Sequence, residues 1–176
     1  MLDALEIPGV LASMGEGAIT LAGFAAVFKA FRGGRDPDGY SWVRLNIVIE
    51  GSLIVAFACY LPSFVASTGL SVALSWQAAS LLIVLWAIPR QNLPTLQIFG
   101  GGRPFPALYV LAGPLGIAAT IVGLINVSML SPLSPYSTHL LACLLLLGNV
   151  ATIFVAQFRV EHSAELQEND SRIGPQ

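Results

Sequence analysis

VLASMGEGAITLAGFAAVFKAFR, residues 10–32, is the stretch whose reading decides the fold. Apart from Glu16, residues 10–28 are apolar or small. At about 1.5 Å per residue that run covers roughly 28 Å, close to the ~30 Å hydrocarbon thickness of a bilayer. The stretch therefore reads as a transmembrane helix. It is dense in small residues, Gly15, Gly17, Ala18, Ala22 and Gly23 among them, and small faces let helix backbones approach closely in lipid.

The rest of the composition agrees. The chain is 55% hydrophobic and only 10% charged, with a mean hydropathy of +0.75, whereas a soluble domain carries about 25% charged residues. The fold class this implies is all-α, a polytopic transmembrane helical bundle. With 176 residues, nearly all in or between apolar runs, there is no room for a separate soluble enzyme domain. Residues 1–8 carry Asp3 and Glu6 where a cleavable signal would be cationic, so the first helix is expected to be retained.

Four further spans follow. Residues 44–67, RLNIVIEGSLIVAFACYLPSFVAS, hold one internal charge, Glu50, and a Pro62 expected to kink the helix. Residues 72–88 begin only a few positions later, so spans two and three form an antiparallel hairpin. Trp76 and Trp86, near the two ends of span three, suit the two interfacial belts. The segment 89–106 has four prolines besides Gly100, Gly101 and Gly102, and reads as the longest loop. Residues 107–130 form a fourth span notched by glycines, with a bend expected at Pro114, and 138–158 a fifth. The five-span membrane domain is thus 1–158, with spans at about 10–32, 44–67, 72–88, 107–130 and 138–158; the polar tail 159–176 is a helical extension that frays.

The cations orient it. All eight, Lys29, Arg32, Arg35, Arg44, Arg90, Arg103, Arg159 and Arg172, fall where five crossings place one common side. The turns 68–71 and 131–137 contain no Lys or Arg. Since cytoplasmic loops carry the excess of Lys and Arg, the amino terminus is expected outside and the carboxyl terminus in the cytoplasm. Cations at membrane edges rather than in a patch argue against a nucleic-acid partner.

The residues GEGAITLAGFAAVF (15–28), with Arg44 heading the second span and Leu61-Pro62 near its end, resemble a broad group of small bacterial inner-membrane proteins to which no activity attaches. The resemblance covers the first half of the chain. It implies a bacterial inner-membrane source and the five-span layout.

A few polar residues are left to carry function. Glu16 lies about six residues, or roughly 9 Å, inside the outer boundary, where a charge is costly and must face protein, water or a proton. It shares a helical face with Thr20 and Gly23, a narrow stripe that would line a pore; the plainer reading has Glu16 bonding Asn126 or His139, near the same level. Glu50 sits toward the cytoplasmic side, where a structural pair with Lys29 is the first expectation; alternatively Glu16 and Glu50 are outer and inner stations of a cation or proton path. His139 begins span five at the outer surface, where it is expected to be wetted. Gly23, Gly116 and Gly123 are candidate helix-packing positions, with spans one and four expected to meet through them. Cys59 and Cys143, each inside an apolar run, read as buried small hydrophobes and not as metal ligands.

No nucleophile elbow, HExxH or phosphate loop is present. The expected function is accordingly non-enzymatic and needs no cofactor or metal: translocation of protons, cations or a small solute by way of Glu16, Thr20, Glu50, Asn126 and His139, in an oligomer within the bilayer. The alternative is a non-conducting accessory or sensor subunit docking other membrane proteins. A reporter fused after Gln176 should read cytoplasmic and one inserted in 131–137 external; periplasmic activity from the carboxyl-terminal fusion would end the five-span reading.

Overall fold

The structure, a computed structural model, describes residues 9–31, 41–92 and 107–172. These are all-helical: α1 Gly9–Phe31, α2 Ser41–Ser67, α3 Val72–Ala87 with a π-helical turn Ile88–Asn92 at its end, α4 Ala107–Val127 and α5 Pro135–Arg172. Four of them contain a segment long and apolar enough to cross a membrane, Gly9–Phe31, Val43–Ser67, Val72–Gln91 and Pro135–Gln157, and a shorter apolar segment covers Leu111–Val127. Arg32, Arg35, Arg103 and most of the expected long loop lie outside the described residues.

Local chemistry sets the helix ends. Ser71 caps α3, its side chain accepting from the Leu74 N–H at 3.3 Å, after a turn in which Gly69 takes a φ of +87° that a side chain would resist. Ser134 caps α5, accepting from the Ser137 N–H at 3.1 Å, with Pro135 in the first helical position, where its missing N–H costs nothing. Past the expected span limit at 158, the helix continues to Arg172. No glycine or proline occurs between Gln157 and Gly174 to end it.

Helix α2 is the hub, packing on α1, α3 and α5, while α4 lies on α5 and α3. The helices interlock at glycines. Gly15 lies under the Tyr60 ring; Gly51 lies under the Trp86 indole, 2.9 Å from where a Cβ would sit, and against Val150. Gly116 seats the Gln91 and Asn149 side chains, and Gly123 takes Val84 at 2.8 Å. Trp86 thus turns inward onto α2 instead of serving only as a belt residue.

Two expectations need correction. A Cβ at Gly23 would have nothing within 4 Å, so among the described residues it packs against no other helix; Gly15, on the neighbouring face, is the glycine of α1 that meets α2. The small faces of spans one and four do not form the expected interface, because α1 is laid against α2 while α4 buries its glycines against α3 and α5. Gly51→Ala and Gly116→Ala should each lower unfolding stability in detergent micelles by about 1–3 kcal/mol through overpacking. Gly23→Ala should leave it unchanged or raise it by up to ~1 kcal/mol. An equal response at all three positions, read by circular dichroism against added SDS, would contradict this packing.

Candidate functional site

The most connected polar group lies in the core, and it begins with a proline. Pro62, inside α2, has no N–H to donate to the carbonyl four residues back, so Ala58 O is left without its helical partner. His139, fully buried, fills that place with its Nε2 at 2.9 Å from Ala58 O. A carbonyl only accepts, so Nε2 carries the proton and Nδ1 must accept. The Ser80 hydroxyl, 2.9 Å away, donates to it. Ser80 Oγ in turn accepts from Asn126 Nδ2 at 2.7 Å. One directed chain, Asn126 to Ser80 to His139 to Ala58 O, ties α4, α3, α5 and α2 together.

Aromatic and sulfur groups enclose it. Trp76 lies 5.6 Å from the imidazole and meets Tyr136 edge-on at 5.1 Å, and Cys143 Sγ is 3.4 Å from Nε2. Cys59 and Cys143 are both buried in the same apolar cluster as free thiols, as expected. His139 is thus a core residue and not the wetted interfacial one expected, because the orphaned carbonyl gives its ring N–H a buried partner.

Glu16 is elsewhere. It is exposed, as are Thr20 and Gly23, on the face of α1 turned away from the other helices. The faces of α1 that meet the bundle carry Leu11, Met14, Gly15, Ala18, Ala22 and Ala25, all buried. Thr20 Oγ1 donates to its own helix at Glu16 O, 2.9 Å, and nothing described here donates to the Glu16 carboxyl. The expected bond from Glu16 to Asn126 or His139 does not form; those two are joined to each other through Ser80.

At the other end of the bundle Glu50 meets Arg90 at 3.5 Å, the Arg90 side chain largely exposed and that of Glu50 partly so. Lys29 donates to Asn46 instead, so the expected Lys29 to Glu50 pair is replaced by two contacts, since the π-helical turn brings Arg90 to α2. Arg44 donates to Gln157 at 2.7 Å. Lys29, Arg44 and Arg90 therefore gather at one end of the helices, away from the turns 68–71 and 131–137. Between the two ends lies a buried polar layer in which Asn149 donates to Ala112 O and Thr120 to Gly116 O. Three buried polar atoms, Ser52 Oγ, Trp86 Nε1 and Asn149 Oδ1, have no partner among the described residues.

No group of three metal-ligating side chains is found among the described residues. No protein-family model, no curated protein and no solved structure matches this chain.

Since His139 replaces the N–H that Pro62 lacks, the two substitutions should be coupled. His139→Leu should destabilise by about 1–3 kcal/mol, the cost of a buried carbonyl left unpaired. In a Pro62→Ala background, where the residue-62 N–H returns to Ala58 O, the same change should cost measurably less. Additive unfolding energies in that double-mutant cycle would refute the link.

Proposed function

We propose that the protein is a five-span component of a bacterial inner membrane, amino terminus outside, that acts by docking a transmembrane helix against the outer face of α1 and conducts nothing itself. The observation that carries this reading is the placement of Glu16, with Gly17, Thr20 and Gly23, on the face of α1 that none of the described residues covers. A carboxyl at that depth costs ~2.5–3.5 kcal/mol at the bilayer centre when charged, and somewhat less nearer the surface, unless it meets a partner. Helices in lipid associate through small faces bearing such polar groups. A route through one chain from Glu16 to Glu50 has less support, because the two side chains occupy different faces and different ends of the bundle and Glu50 is matched by Arg90.

The helix that completes the five spans in this proposal is α4, the fourth in chain order, whose 21 helical residues would extend about 31 Å. The orientation rests on the gathering of Lys29, Arg44 and Arg90 at one end.

Two measurements decide between docking and transport. A photo-crosslinking side chain at position 20 should give protein adducts in intact cells, while one at lipid-facing Leu85, 63% exposed, should not; equal yields of lipid adducts alone at both would sink docking. Purified protein in liposomes should pass protons and cations no faster than empty vesicles. A wild-type flux abolished by Glu16→Gln would put translocation in front.

A further inference from the structure

We infer that the helix covering the outer face of α1 is α1 of a second copy of this chain, with the two Glu16 carboxyls hydrogen-bonded to each other inside the membrane. This rests on the docking reading and names its partner.

The depth of Glu16 is fixed by its neighbour. Gly15 lies under the Tyr60 ring, one residue from Cys59 and so near the level of the His139 network, and six residues inside the start of α1 at Gly9. No described residue offers the carboxyl a partner there. Thr20 spends its hydroxyl on Glu16 O, and Lys29, Arg44 and Arg90 sit at the opposite end of the bundle. A foreign partner would have to bring a cation or donor to that same depth, itself at a cost in hydrocarbon. A second copy needs no such addition. Copies inserted the same way and related by a twofold axis along the membrane normal place identical residues opposite each other at equal depth. A carboxyl that keeps its proton is both donor and acceptor, so two of them are chemically self-complementary. The surrounding surface allows the approach. None of the described residues lies within 4 Å of a Cβ at Gly17 or Gly23, leaving shallow notches one turn on either side of Thr20 for a facing helix.

The test is disulfide trapping in native membranes, with the buried native cysteines left in place. Gly17→Cys and Thr20→Cys should each give a band of twice the monomer mass on mild oxidation, whereas Ala22→Cys, on the face against the bundle, should stay monomeric. Adding Glu16→Leu to Thr20→Cys should weaken dimerisation about three- to thirtyfold, the equivalent of one interhelical hydrogen bond; adding Glu16→Gln should largely preserve it. A trapped adduct of any other mass at positions 17 and 20 would overturn the second copy while leaving docking intact. Monomer alone at both positions, in protein whose unfolding in SDS matches wild type, would overturn the second copy, while docking is judged by the photo-crosslink at position 20. A dimer band indifferent to Glu16→Leu would overturn the carboxyl pair.

Discussion

A proline that leaves one carbonyl without its donor organises four of the five helices. In lipid there is no water to take up an orphaned backbone group, so each one needs an answer from within the protein. Here the answer to Pro62 is His139, and answering fixes more than one bond. Because Nε2 must donate to Ala58 O, Nδ1 must accept, Ser80 must donate, and Asn126 must supply Ser80 with a proton of its own. Every donor in the chain has its direction set by the first. Hydrophobic burial would not discriminate one rotation of these helices from another, since lipid is as apolar as Leu. A directed hydrogen-bond chain does.

This accounts for the division of polar residues between core and surface. The groups in the His139 network are matched and enclosed by Trp76, Tyr136 and Cys143, which suits a structural role. Glu16 is left out because α1 joins the bundle chiefly through α2, by apolar and small side chains. In the docking we propose, a helix attached by one face and carrying a carboxyl on another serves two neighbours. The pairing of Glu50 with Arg90 at the opposite end is a wetted contact of the kind worth at most about 1 kcal/mol, and it neutralises the second carboxylate locally.

Much of the architecture was legible in the sequence because it depends on length and on local chemistry. The helix limits follow from apolar runs interrupted by Gly, Pro and Ser, and the shared end of Lys29, Arg44 and Arg90 follows from counting crossings. What escaped was rotation about each helix axis. In α1 small residues occur all round, so hydrophobic periodicity gives no inward face, and Glu16, Thr20 and Gly23 were assigned to the interior when they lie outside it. His139 was assigned to water for want of a visible partner; the signal was present as Pro62, four residues after Ala58, but nothing local links residue 58 to residue 139. Lys29 and Glu50 were matched by sequence proximity, whereas Arg90 arrives through a π-helical turn that no apolar pattern announces.

The proline and its histidine also impose an order on biosynthesis. Helices leave the ribosome from the amino terminus, so α2 enters the membrane with the Ala58 carbonyl open while three further helices are still to be made. Ser80 and Asn126 arrive next, on α3 and α4, and join each other before the imidazole exists. Only α5 closes the chain. Its buried polar residues, His139, Asn149 and Gln157, would be expensive in a helix inserted alone, yet each emerges to find acceptors or donors already in place, at Ala58, Ala112 and Arg44. Helix α5, whose segment Pro135–Gln157 is apolar enough to cross a membrane on its own account, is thus fixed in place by groups made before it, and until residue 139 is made the Ala58 carbonyl in α2 waits for the donor that His139 brings.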